Sequence, residues 1–101
     1  MKLVIVRYKV KADRAAENVE YVKKVFVELA GSAPDGLRYV TFQAEDGVSF
    51  THIASIETAD GSNPLGATAA FKQFQAEIKD RCEVPPTATT VDIVGSYRFM
   101  S

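Results

Sequence analysis

The chain has little of several residue types, and each shortage removes a class of function. Its 101 residues include no tryptophan, one cysteine (Cys82) and one histidine (His52). A single cysteine closes no intrachain disulfide, which fits a reducing compartment. One histidine and one cysteine cannot complete a structural zinc set, and no carboxylate spacing matches a calcium-binding loop. No metal site is expected. Glycine-rich phosphate loops are missing, as are a Gly-x-Ser-x-Gly elbow and a triad partner for the histidine. Charge of neither sign is in excess: 12 Lys and Arg against 13 Asp and Glu give a net −1. Nucleic-acid binders carry a basic face that displaces counterions from phosphates. Here the basic residues are scattered, with no run longer than Lys23-Lys24, so no nucleic-acid partner is expected. No apolar run approaches the ~20 residues that span a bilayer. Residues 1–7 lack the apolar core and cleavage pattern of a signal peptide. The expected location is cytoplasmic, with no membrane contact.

What is present is an ordinary globular balance, 47% apolar and 25% charged, in one domain spanning residues 1–101. Residues 3–10 read as a strand, dense in β-branched residues. Its start, Leu3-Val4-Ile5-Val6, is apolar on both faces, as in a strand covered on both sides. Asp13 is placed to cap a helix with the apolar stripe Val19, Val22, Phe26 and Leu29, widened by Val25. Glu20 and Lys24 would pair on its wet side. Gly31 is expected at its left-handed end, with Pro34 blocking continuation.

Residues 37–44 and 48–57 form a hairpin about Asp46-Gly47, expected as a type I′ turn with positive φ at both positions. That turn sets the register: Gln43 opposes Phe50, Thr41 opposes His52, Tyr39 opposes Ala54 and Leu37 opposes Ile56. One hairpin face then carries Leu37, Tyr39, Thr41, Phe50, His52, Ala54 and Ile56. It is the more apolar face and is assigned to the helices. Val40, Phe42, Thr51 and Ile53 form the other. Tyr8 joins the helix side if Val4 and Val6 do. Asn63-Pro64 opens a second helix whose stripe is Ala67, Phe71, Phe74, Ile78 and Cys82, ended by Pro85-Pro86. The last strand is expected over residues 87–100, with Gly95 as a bend.

The order is βαββαβ, an α+β ferredoxin-like domain: a four-stranded antiparallel sheet with both helices on one face. Two helices cannot cover two sheet faces, yet both faces are largely apolar. A second copy is the expected cover, giving a homodimer through the sheet face that buries about 800 Å² per chain.

With this order, the two-faced sheet, Pro34-Asp35-Gly36-Leu37 leading to Asp46-Gly47-Val48-Ser49-Phe50, and the aromatic pair of Phe71-Lys72-Gln73-Phe74, the chain resembles the dimeric α/β-barrel superfamily over its whole length. It looks most like the small antibiotic-biosynthesis monooxygenases and related uncharacterised bacterial proteins. The resemblance implies two sheets packed face to face and a ligand held between each subunit's sheet and helices. In some members it implies oxidation of phenolic compounds with no metal or flavin, hence no cofactor. The haem-degrading branch, which uses a tryptophan, does not fit a chain without one. Gly47-Val48-Ser49-Phe50 is also weakly similar to an RNA-recognition motif, which shares the element order. That module needs exposed aromatics in basic surroundings, which this chain lacks.

His52 is the candidate base, since a neutral imidazole could take a proton from a phenolic substrate. Tyr39 and Thr41 share its face and complete the candidate catalytic group. Tyr8, Phe50, Phe71 and Phe74 would hold a small aromatic ligand. The plainer alternative is a buried histidine bonded to Thr41 or to backbone, in a non-catalytic ligand-binding or structural dimeric module. Arg7 is expected to pair with Asp92 or Glu57 at the interface, or to meet an anionic ligand. Tyr97 reads as core or interface, and Cys82 as an inert buried thiol.

Overall fold

The β-branched run near the N-terminus forms strand β1, Lys2–Val10, in the computed structural model, which describes residues 1–99. After a 3-10 turn at Ala12–Arg14 comes helix α1, Ala15–Ser32. Strands β2, Leu37–Gln43, and β3, Ser49–Ile56, make the hairpin. A second 3-10 turn, Pro64–Ala67, leads into α2, Ala69–Ala76, and a single further turn, α3, Ile78–Arg81. Strand β4, Cys82–Val91, completes the sheet. The sheet order is β2-β3-β1-β4, every neighbouring pair antiparallel. This is the expected ferredoxin-like α+β arrangement.

The hairpin register is the expected one: Leu37 opposes Ile56, Tyr39 opposes Ala54, Thr41 opposes His52 and Gln43 opposes Phe50. On β1, Val6 opposes His52 and Tyr8 opposes Phe50. Alternation therefore puts Val6, Tyr8 and Val10 on the face that carries Phe50 and His52. That face meets the helices. Tyr8, Val10 and Phe50 pack with Val22 and Val25 of α1 and Phe74 of α2 in one buried cluster. The opposite face keeps Phe42 43% exposed, with Val40, Thr51 and Ile53 only partly covered.

The two helices are tied by a carboxylate. Glu28 of α1 accepts from the backbone N–H of Ala69 at 3.1 Å and of Ala70 at 2.8 Å. Thr68 adds its own hydroxyl, accepting from Phe71 N–H at 3.2 Å. The first turn of α2 is thus capped from within its own segment and from α1.

Several local expectations fail for identifiable reasons. Asp13 makes no cap; it lies inside the 3-10 turn, and α1 starts after Arg14 without a side-chain cap. Arg14 instead holds Glu17, at 2.8 and 2.9 Å. Glu20 pairs with Lys23 at 3.7 Å, while Lys24 lies over the Tyr21 ring. Gly31 is helical, and the left-handed end falls on Ala33, at φ 42° and ψ 56°. Its N–H still reaches Leu29 O at 2.8 Å, so the closing hydrogen bond, not the glycine, sets the end. In the hairpin only Gly47 has positive φ, which excludes type I′. Gly47 N–H closes on Ala44 O, and Asp46 accepts from Val48 and Ser49 N–H. This four-residue loop has the same centre as the expected two-residue one, so the register is unchanged. Asn63 accepts from Leu65 N–H and caps the 3-10 turn, not α2.

The prolines do not end the second helical segment. It ends at Arg81, because Cys82 is already extended, and Pro85-Pro86 lie within β4. An edge strand tolerates missing N–H donors, and the β1–β4 register shifts around this point. The last strand begins five residues earlier than expected (82 against 87) and stops at Val91. Val91 pairs with Leu3 near the start of β1, so little partner strand remains beyond it. Ile93, Val94, Tyr97 and Phe99 are exposed. Met100, placed in that strand by the sequence pattern, lies outside the described residues. Arg7 forms no ion pair among the described residues; Glu57 is held by Arg38 at 3.1 Å.

The left-handed alanine gives a direct check. A side chain there costs about 1–2 kcal/mol, partly offset by the freedom glycine adds to the unfolded chain. Ala33→Gly should therefore stabilise the protein by about 0.5–1 kcal/mol, read as a higher urea midpoint at unchanged m. A lower midpoint would contradict the geometry.

Candidate functional site

His52 lies in the middle of a three-strand rung, with Val6 on one side and Thr41 on the other. Tyr39 is one pleat along β2 on the same face, and Tyr8 one pleat along β1. The alternation of three strands is therefore enough to gather Tyr8, Tyr39, Thr41 and His52. The Tyr8 hydroxyl is hydrogen-bonded to His52 Nε2 at 2.8 Å. The Tyr39 hydroxyl is hydrogen-bonded to Nδ1, and Thr41 Oγ1 lies 3.2 Å from the same nitrogen. Both imidazole nitrogens thus have protein partners.

Helices extend this network. Asn18 of α1 donates from Nδ2 to the Tyr8 oxygen at 2.9 Å. Arg81 of α3 donates from Nε to Asn18 Oδ1 at 3.1 Å and from Nη2 to Phe74 O at 2.8 Å. Asn18 and Arg81 have no exposed surface. The guanidinium also lies 4.4 Å from the centre of the Tyr21 ring and 5.2 Å from that of Phe74. Arg81 Nη1 finds no hydrogen-bond partner among the described residues.

Beside this network, between the sheet and the α2–α3 segment, is a cavity of about 340 Å³. Its wall is mainly apolar, with Val4, Val6, Ala54, Ile56, Phe71 and Phe74 contributing, and Tyr8, Tyr39 and His52 at its polar part. The volume is within the usual range for a small-molecule site. Of the sequence candidates, Tyr8, Tyr39, His52, Phe71 and Phe74 line it. Phe50 does not. It stacks on Tyr8, ring centres 5.5 Å apart, and belongs to the core. Thr41 touches His52 without lining the cavity. Phe26 backs the Tyr39 ring at 5.1 Å, so aromatic packing holds both tyrosines in place.

Burial dominates the protonation of these groups. It pushes His52 down to about 4, so the ring is neutral at neutral pH. It pushes the Tyr39 phenol up to about 12, against a smaller lowering by Thr41. Tyr8 is raised further by burial, although Asn18 acts in the opposite sense. Burial also raises the Cys82 thiol, as expected of an inert one. Among the described residues no three metal-ligating side chains cluster, and no helix is long and apolar enough to cross a membrane.

Asn18 and Arg81 were missed in the sequence, although a signal was there. Asn18 precedes Val22, Val25 and Leu29 at helical spacing, and Arg81 follows Phe74 and Ile78 at the same spacing. A polar residue in an apolar stripe is a buried polar residue in need of partners.

The low value at His52 has a consequence for acid stability. Its ordinary value is 6.5 and its folded value about 4, so the unfolded chain binds this proton first. Stability should fall as pH drops below 6.5 and level off below the folded value, a loss of up to about 3 kcal/mol. Denaturant titrations at pH 7.5 and pH 4.5 test it: His52→Gln should show a smaller acid loss than the wild type. Equal losses would mean that His52 is not the buried neutral group described.

No protein-family model matches the chain, and no curated protein matches it. Solved structures do. A protein described as "putative antibiotic biosynthesis monooxygenase from Nitrosomonas europaea" superposes with TM-score 0.78 at 18% identity, over 94% of this chain and 100% of that one. A second antibiotic biosynthesis monooxygenase gives TM-score 0.75 at 20% identity, over 94% and 100%. A variant of SnoaB, a cofactor-independent oxygenase from Streptomyces nogalater, gives 0.70 at 14% identity, over 96% of each chain. At these identities the likeness is one of fold, and the chain has the ferredoxin-like fold of the antibiotic biosynthesis monooxygenase structures over nearly its whole length.

Proposed function

We propose that this protein is a cofactor-independent oxygenase acting on a small aromatic substrate with an enolisable or phenolic oxygen. One observation carries the reading: a mainly apolar cavity of about 340 Å³ reaches the hydrogen-bonded Tyr39–His52 pair, whose imidazole is buried. Its fold is that of SnoaB and of monooxygenase-named structures, which supports the same reaction class.

Such a reaction needs a substrate anion. Loss of a proton to water from a ring CH2 conjugated with a carbonyl gives an enolate. The enolate passes two electrons to dioxygen as the carbon–oxygen bond forms, a proton from water completes the hydroperoxide, and loss of water with the carbon's second hydrogen leaves a new carbonyl. The site's task is to stabilise the enolate oxygen. Hydrogen-bond donors in a water-poor cavity do this far better than in bulk water. In this reading Tyr39 meets the substrate oxygen. His52 acts behind it, since both of its nitrogens already engage protein hydroxyls. Phe71 and Phe74 flank the ring, and Tyr8 holds the imidazole.

Oxygen consumption with anthrone- and hydroquinone-like compounds is the test. Tyr39→Phe, which removes one hydroxyl, should lower the rate roughly 10²-fold, and His52→Ala should lower it comparably. Rates unchanged by both would remove the pair from the chemistry. Compounds bound in the cavity without oxygen uptake would favour a ligand-binding module instead, which the fully partnered imidazole also suits.

The same reading includes a homodimer through the open sheet face, where Phe42 is 43% exposed beside Val40, Thr51 and Ile53. Light scattering over a dilution series should give twice the chain mass, and Phe42→Glu should shift the protein to monomer. A wild-type monomer at all concentrations would show that the face is solvated.

A further inference from the structure

Arg81 and Asn18 have no exposed surface, and neither lines the cavity. Their chemistry nevertheless determines where the hydrogens of the site lie. A guanidinium donates at every nitrogen and accepts at none. Arg81 Nε is 3.1 Å from the Asn18 amide, so the amide atom that faces it is the oxygen. The nitrogen then faces Tyr8 at 2.9 Å, and an amide nitrogen can only donate. Tyr8 oxygen accepts this bond. The one hydrogen of Tyr8 has a single acceptor in reach among the described residues, His52 Nε2 at 2.8 Å. The hydroxyl is already within hydrogen-bond distance of that nitrogen, and Tyr8 as a whole is 4% exposed. Nε2 must therefore present its lone pair. A neutral imidazole has one proton, which is left to Nδ1, facing the hydroxyls of Tyr39 and Thr41.

We propose that Arg81 is a positioning residue that acts through Asn18 and Tyr8 to lock His52 as the Nδ1–H tautomer, leaving a hydroxyl hydrogen at Tyr39 free for an acceptor oxygen of the bound ligand. Nδ1–H donates to the hydroxyl oxygens beside it, and these hold two hydrogens of their own. Among the described residues the Tyr39 hydroxyl has no hydrogen-bond partner other than Nδ1. The Tyr39 hydrogen then lacks an acceptor among the described residues, and Tyr39 lines the cavity. The site is thus set to give a hydrogen bond and selects a carbonyl or oxyanion over a group that can only donate. This selection rests on the proposed use of the cavity; the tautomer does not.

The guanidinium is itself held in one orientation. Nη2 donates to Phe74 O at 2.8 Å, and the Tyr21 ring lies against the group at 4.4 Å. The chain of single-role groups therefore starts from a fixed point.

His52 is the one histidine of the chain, so its ring nitrogens can be observed without assignment ambiguity. Long-range 15N–1H correlation spectra of labelled protein at pH 8 report which nitrogen carries the proton. The wild type should show Nδ1 protonated. Asn18→Asp keeps a partner for Arg81 but turns the atom facing Tyr8 into an acceptor. The Tyr8 hydrogen should move to it, and the imidazole proton should move to Nε2. Arg81→Lys, still donor-only, should retain Nδ1–H, whereas Arg81→Met frees the amide to turn and should mix the two tautomers. Should Arg81→Met not fold, Asn18→Asp decides alone. Nε2–H in the wild type, or an unchanged tautomer in Asn18→Asp, would overturn the inference. These spectra need no substrate. The expected tautomer shift without any oxygen uptake would sink only the proposed reaction, and uptake with the wrong tautomer only this assignment.

Discussion

The Arg81 guanidinium, which donates at every nitrogen and accepts at none, is wholly buried. Burying a charge is costly unless it is well partnered. Here the partners are an amide oxygen, a backbone carbonyl and two aromatic faces, with no carboxylate hydrogen-bonded to it among the described residues. A desolvated cation over an aromatic ring can gain about 2 kcal/mol or more. The partners come from two helices: Asn18 and Tyr21 from α1, Phe74 from α2. Through Asn18 and Tyr8 the same network reaches β1, then His52 on β3 and Tyr39 on β2. One buried charge thus registers the helices against three of the four strands, and the cavity floor is part of that network.

The network also explains how a small domain keeps a cavity beside its core. Apolar packing is dense on one side of the rung, where Val10, Val25, Phe50 and Phe74 close around Tyr8. On the other side the wall is left open and mainly apolar. The tyrosines are held by rings behind them, Phe50 behind Tyr8 and Phe26 behind Tyr39. Their hydroxyls therefore stay in place without a ligand.

Much of this was legible in the residues, and the failures are local. The hairpin register depends on the centre of the loop and on parity, so a wrong turn type left it intact. His52 was placed on the helix face by the apolarity of Phe50, Ala54 and Ile56, which is a property of the residues themselves. Gly31 and Pro85-Pro86 misled because each was read as local punctuation. The end of α1 follows its closing hydrogen bond at Ala33, and the prolines sit on an edge strand where their missing donors cost little. Phe50 was placed at the ligand because it shares the face of His52; its stacking on Tyr8 puts it in the core instead.

The sequence by itself determined the element order, the hairpin register and most of the side chains on the helix face. Those follow from periodicities of 2 and 3.6 residues, which are local. It also carried two polar residues in apolar stripes, Asn18 and Arg81, without saying what they meet. Only the tertiary structure decided that these two meet each other, because 63 residues separate them and their contact depends on how α1 and α3 pack over β1. Which groups face each nitrogen of His52 was decided there too, since they come from separate strands.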